Sequence, residues 1–203
     1  MNRAEQPAGA EVPGRKRRCD WCPPDDPLYV KYHDEEWGVP VRNGRHLFEM
    51  LCLEGAQAGL SWRVILHKRS NYRSAFLGFQ PERLSSWTEA DVARALTNPG
   101  IVRNRRKVEA VVGNARAVVT HFNGDLDRFA ECLWTFVDGK PIQHGFVTAA
   151  DVPAEDSHSR ALSAALQKLG FKFVGPTIVY AFMQAVGMVN DHLTGCFRHA
   201  ETS

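Results

Sequence analysis

Arg45-His46-Leu47-Phe48-Glu49-Met50-Leu51-Cys52-Leu53-Glu54-Gly55-Ala56-Gln57-Ala58 is the stretch that decides the fold class. It follows the turn pair Asn43-Gly44 and sets Leu47, Phe48, Leu51, Gly55 and Ala58 at helical spacing, the mark of a helix with one buried side. The pattern continues outward. Ser61 caps a second helix through Trp62, Ile65 and Leu66, and Pro81 suits a first helical position. Thr88-Glu89-Ala90-Asp91 reads as a capping box opening a helix that stops at Asn98-Pro99-Gly100. A long helix is predicted from Arg103 to His121, closed by Asn123-Gly124-Asp125, and another from Leu126 to Phe136. The stretch Asp138 to Pro153 reads as loop, with a short extended piece over Gln143 to Thr148. Ser157 or Ser159 then caps a helix through Ala161, Leu162, Ala165, Leu166 and Leu169, stopped by Gly170, and a last helix runs from Pro176-Thr177 to Ala185. No strand alternation persists and no repeat appears, so the chain reads as one all-α domain over residues 19–203.

The bulk numbers narrow the classes. With 203 residues and 44% hydrophobic content the chain can fill one core. Its formal charge of +2 and pI near 8.3 give no strong global field, so a nucleic-acid surface must be a local patch. No apolar run reaches the roughly 18 residues of a membrane span. Residues 1–18 read as a disordered basic tail ending in Arg15-Lys16-Arg17-Arg18, without the apolar segment of a secretory signal. The expected location is the cytoplasm, where five cysteines argue for buried, catalytic or metal-bound thiols over a disulfide framework.

Several groups carry chemistry. Cys19 and His33 near the start, with His192 and Cys196 spaced His-x3-Cys near the end, suit a tetrahedral ion. Cys22 makes a competing Cys-x2-Cys pair, and spacing alone leaves buried thiols and surface histidines open. Glu54 falls seven residues after Leu47 and three after Leu51, on the apolar stripe. Burying an ionised carboxylate is costly unless it is paired or employed, so it either reaches water, meets an arginine, or floors a pocket among the small residues and aromatic of Gly55 to Trp62. Tyr29 and Tyr32 flank His33 and suit stacking on a flat, cationic heterocycle, while Trp21 and Trp37 read as core. Leu169-Gly170-Phe171-Lys172-Phe173-Val174-Gly175-Pro176-Thr177 joins two helices by a tight hairpin whose second helix opens with free N–H groups, a place for a DNA phosphate. Gly100 to Lys107 sets four cations at a helix start, unfavourable against the helix dipole unless a phosphate or solvent faces them.

Taken together, Cys19 to Trp21, Asp26 to Pro40, Leu47 to Gly55, Gln57 to Trp62, Gly113 to Ala117, Gly170 to Thr177, Phe182 to Ala185 and Val189 to His192 resemble the 3-methyladenine DNA glycosylase I family, within the helix-hairpin-helix glycosylase group. The resemblance covers nearly everything from Cys19 to Cys196, with a spacer between Cys19 and Tyr29 one residue longer than usual. It implies a helix-hairpin-helix fold in which structural Zn²⁺ on Cys19, His33, His192 and Cys196 joins the chain ends, with Cys22 a bystander. It implies Glu54 as the catalytic acidic group, Tyr29, Tyr32 and Trp62 around the base, and Lys172, Gly175 and Thr177 on the DNA backbone. The implied activity is hydrolysis of the N-glycosidic bond of 3-methyladenine, flipped out of double-stranded DNA containing alkylated bases, with no obligate protein partner and no membrane. Thr177 stands where a lyase would need lysine, so a monofunctional enzyme is expected. Asp191, adjoining a zinc ligand, stays outside the catalytic set. The alternative is a zinc-stabilised DNA-binding module without catalysis.

Overall fold

A computed structural model of the chain describes residues 16–202. Its elements run α1 (Pro27–Glu35), α2 (Gly44–Gln57), α3 (Trp62–Ala75), α4 (Pro81–Ser85), α5 (Glu89–Leu96), α6 (Arg105–Phe122), α7 (Leu126–Trp134), β1 (Ile142–Gln143), α8 (Ser157–Lys168), α9 (Pro176–Ala185), β2 (Val189–Asn190) and α10 (Arg198–Glu201). Helix dominates, as the periodicity predicts. Among the described residues no helix is long and apolar enough to cross a membrane.

α2 is the axis of the core, packed by α3, α6, α7 and α9. The stripe reading expects one buried side, yet α2 is buried without a break from Leu47 to Ala56. Leu47, Phe48, Leu51 and Leu53 are fully covered, each contributing about 1.5–3 kcal/mol by burial. Such a helix has no solvent face for its acids, and its two inner ones are handled differently. Glu49 accepts from Arg69 Nε and Arg73 Nε, both at 2.8 Å, and Arg69 also donates to Glu36 at 2.5 Å, tying α2 and α3 to the end of α1. Among the described residues Glu54 has no such partner. One residue on, Gly55 allows the 170–175 hairpin to close on α2: a Cβ there would lie 3.0 Å from Phe173 Cβ and 3.1 Å from its carbonyl oxygen.

Local chemistry accounts for most boundaries. Thr88 and Asp91 form the expected capping box of α5, and Asn104 caps α6, whose far end turns through a left-handed Asn123. Other expectations need correction. Ser61 precedes α3 without a side-chain cap bond, and α8 is capped by Asp156, with Ser159 as its box partner. Of the extended piece predicted over Gln143 to Thr148 only Gln143 is strand, in β1, which pairs in parallel with β2; a Thr148–Asp151 capping box then opens a 3-10 turn at Ala149–Asp151. α1 escapes the periodicity reading: it is nine residues long, and it starts because Asp26 accepts from Tyr29 N at 3.2 Å while Pro27 takes the first position.

The expectation of a disordered tail falls largely on residues 1–15, outside the described residues. Lys16 to Arg18 are engaged: the Lys16 ammonium lies 4.3 Å from the Phe197 ring centre, Arg17 O accepts from Phe197 N, and Arg18 donates to Asp34.

Candidate active site and metal centre

A cavity of about 380 Å³ opens between α1, α2, α3, α9 and the loop before α8. α1 contributes Tyr29 and Tyr32, three residues apart and so on one face of that helix. α2 contributes Glu54 and Gln57, and Trp62 comes from the first turn of α3. α9 lines the opposite wall with Thr177, Tyr180, Ala181 and Gln184, the i, i+3, i+4, i+7 set of one helical face. Tyr32 and Trp62 meet at 5.3 Å between ring centroids, Tyr29 and Tyr32 at 6.3 Å edge-on.

Glu54 is 4% exposed and lines this cavity. Among the described residues no hydrogen bond or ion pair reaches its carboxylate, so the arginine alternative fails: the arginines went to Glu49, five residues earlier on the helix. Burial alone pushes Glu54 up to about 8. Burial also raises both phenols, Tyr29 to about 12, and the nearby Glu54 adds to the shift in each. No lysine, arginine or histidine lines the cavity among the described residues. The empty space therefore lacks positive charge and supplies a carboxyl plus aromatic faces, an environment that a flat cation complements.

Asp191 is a wall residue that sequence reading set aside. Its side chain is fully buried and accepts from His144 Nδ1 at 2.6 Å, Tyr180 OH at 2.8 Å and Gln184 Nε2 at 2.7 Å. These bonds fix α9 to β2 and to the loop after β1. Trp21 and Trp37, read as core, also face the cavity, as do Ala149, Val152, Pro153 and Ala154. The α9 spacing was a usable signal for Tyr180 and Gln184. The loop carried none.

Behind the aromatic wall, Cys19, His33, His192 and Cys196 converge, their ligand atoms all within 4.8 Å of one another and all four residues buried. Cys19 Sγ lies 3.6 Å from His192 Nδ1, and Cys196 Sγ lies 3.5 Å from His33 Nε2 and 3.6 Å from His192 Nδ1. A tetrahedral zinc at about 2.3 Å from sulfur and about 2.05 Å from nitrogen would set such edges near 3.6 Å. The surroundings fit as well. His33 Nδ1 donates to Asp34 at 2.8 Å and His192 Nε2 to Trp37 O at 3.0 Å, so that His33 Nε2, which also accepts from Cys19 N at 3.3 Å, and His192 Nδ1 are the ring nitrogens that face the sulfurs. Leu193 N donates to Cys19 Sγ at 3.4 Å. Contact with Cys19 pushes the Cys196 thiol down, and the same contact together with burial pushes Cys19 up. Gly38 is needed here, since a Cβ at its φ of +78° would meet the His192 ring at 3.0 Å. Cys22 is buried outside the cluster.

The hairpin is held rigidly. Asn114 accepts from Lys172 N at 2.8 Å and donates to Lys172 O at 3.2 Å, while Ser163 Oγ donates to Val174 O at 2.6 Å. Lys172 is exposed, and Gly175 opens α9 without a side-chain cap. Thr177 lines the cavity as well as standing at the helix start. The basic turn before α6 divides: Arg105 is paired with Glu89 and Glu109, and Lys107 donates to backbone carbonyls, leaving Arg103 and Arg106 facing solvent.

The family model described as methyladenine glycosylase matches residues 21–199. The chain is 50% identical over 180 residues to DNA-3-methyladenine glycosylase 1 of Escherichia coli (strain K12), covering 88% of this chain and 95% of that protein. A crystal structure of a 3-methyladenine DNA glycosylase I superposes with a TM-score of 0.85 at 53% identity, covering 89% of this chain and 98% of that one. A Tyr-to-Phe variant of a 3-methyladenine DNA glycosylase I, solved in complex with 3-methyladenine, superposes at 0.81 with 38% identity, covering 85% and 92%.

Proposed function

The chain belongs to the methyladenine glycosylase family, and from that premise we propose that its cavity takes 3-methyladenine flipped from alkylated duplex DNA and that the enzyme hydrolyses the N-glycosidic bond. The observation that carries the reading is Glu54, buried and unpaired in an aromatic cavity that no cationic side chain lines among the described residues. Methylation at N3 leaves adenine with a fixed positive charge. That cation favours ionised Glu54, which accepts a hydrogen bond from the base edge, while Trp62, Tyr29 and Tyr32 present ring faces. Neutral adenine offers the carboxyl no such compensation and is discriminated against.

As the bond breaks, its electron pair goes to the base, which departs neutral. The sugar passes through an oxocarbenium-like state, water adds at C1′, and the water's proton goes to solvent. The reaction needs no covalent intermediate, in keeping with Thr177 where a lyase would carry lysine. Lys172 and the N–H groups following Gly175 take backbone phosphates, and α8, the hairpin and α9 form the helix-hairpin-helix element. Cys19, His33, His192 and Cys196 would hold zinc as four protein ligands, and a zinc so held would supply a crosslink rather than Lewis-acid chemistry.

Chromatography of bases released from methylated duplex DNA tests the function. Glu54→Gln keeps the shape but removes the charge. A hydrogen bond to a charged group contributes about 1.5–3 kcal/mol, so excision should fall roughly tenfold to a hundredfold. Excision by Glu54→Gln at the wild-type rate would remove Glu54 from the mechanism. A wild-type protein that binds methylated DNA and releases no base would leave the non-catalytic DNA-binding module.

A further inference from the structure

α2 ends, and the turn to α3 begins, on carbonyls that need donors. Leu60 N reaches Gln57 O at 2.6 Å, and Ala58 N reaches Gly55 O at 3.4 Å. Ala56 O and Ala58 O are taken by one group from far along the chain, the Lys107 ammonium, at 2.8 and 2.6 Å. The last turn of α2 has no basic residue of its own, so this ammonium also supplies the positive charge that a helix C-terminus favours. Lys107 is itself held in place: its backbone N–H donates to the Asn104 cap of α6 at 3.3 Å. The turn it grips joins the element that carries Glu54 and Gln57 to the element that opens with Trp62, and all three line the cavity. Ser61, at the start of α3, makes no side-chain cap bond.

We infer that Lys107 is a positioning residue for base excision: by tying the turn between α2 and α3 to α6 it sets Trp62 relative to Glu54. The inference rests on the base-pocket reading above. It also assigns Lys107 a use different from the phosphate contact that its place in a basic run suggests. Two of its three N–H donors are already committed to carbonyls, whereas among the described residues Arg103 and Arg106 have no such commitments and are free to face DNA.

The experiment compares Lys107→Met, Lys107→Gln and Lys107→Arg in the full-length, zinc-loaded protein. Single-turnover release of 3-methyladenine from methylated duplex is measured at saturating enzyme, and the salt dependence of binding is measured on undamaged duplex. Displacement of a pocket wall by an ångström or less costs about tenfold to a hundredfold, so Lys107→Met should slow release by that factor. Lys107→Gln, which keeps one donor, should fall between, and Lys107→Arg, which restores two, should recover most of the rate. The salt slope should stay at the wild-type value in all three, while Arg106→Ala should lower it by about 0.9, the contribution of one phosphate contact. Wild-type release rates in Lys107→Met, or a salt slope lowered in that variant whatever its rate, would overturn the inference. Failure of the wild-type protein to release base would instead sink the reading beneath it.

Discussion

Replacing Glu54 by glutamine should stabilise the fold, and by an amount that grows with pH. Burial holds the folded carboxyl at about 8 against an ordinary value of 4.5. Below 4.5 the group is protonated in both states and the folded protein carries no penalty. Between 4.5 and about 8 the unfolded chain ionises while the folded chain keeps its proton, so wild-type stability falls as pH rises. Above about 8 both states are ionised and the penalty is complete. At about 1.36 kcal/mol for each tenfold change in proton affinity, the full penalty is about 5 kcal/mol as a ceiling, with relaxation around the cavity reducing it. Glutamine does not titrate and escapes it. Urea unfolding of both proteins at pH 5 and pH 9, with zinc and salt held constant, isolates the effect because every other titrating group is common to the pair. The variant should gain several kcal/mol over wild type at pH 9 and little at pH 5. An equal stability difference at the two pH values would refute the claim that Glu54 sits uncompensated, and with it the idea that the empty pocket awaits a cation.

The same carboxyl sets the pH dependence of turnover: kcat/KM for 3-methyladenine release should climb with pH towards about 8 as the free enzyme's Glu54 ionises, and a flat profile from pH 6 to 9 would show that charge on Glu54 is not required. Cys196→Ala should lose zinc, seen by elemental analysis of dialysed protein, and unfold at lower temperature; full metal occupancy would break the ligand assignment. Lys172→Ala should weaken binding to methylated and undamaged duplex alike and lower the salt slope by about 0.9, and an unchanged slope would remove Lys172 from the phosphate contacts.

The long helices were legible because burial imposes a period on sequence, and α6 shows it: of the inner side predicted for it, Val108, Val111, Val112, Ala115 and Val118 are buried, and Val119 is half-buried. The degree of burial of α2 was not legible. A stripe of apolar positions cannot show that Leu53 and Ala56, off the stripe, are also covered by neighbours distant in sequence, and that coverage is what makes Glu54 costly. Trp21 and Trp37 were indistinguishable from core because a cavity wall and a core both bury rings. The wall at 149–154 lies in a short turn and loop between β1 and α8, without a periodic stretch that could leave a pattern. Lys107 shows the opposite failure: its composition-level context reads as a phosphate patch, and only the fold reveals the two carbonyls it serves.

The Cys/His cluster draws on residues 19 and 33 and, far along the chain, on residues 192 and 196. During synthesis the first pair leaves the ribosome long before the second exists, and a two-ligand half-site holds zinc weakly. In the zinc reading the ion can lock the domain only once His192 and Cys196 stand beside Cys19 and His33. A nascent chain stalled before Asp191, or one clipped there by a protease, would keep Glu54, Trp62 and both tyrosines yet lack the fastening behind them. In the zinc reading, metal capture would fasten the pocket only in a chain that carries both ligand pairs.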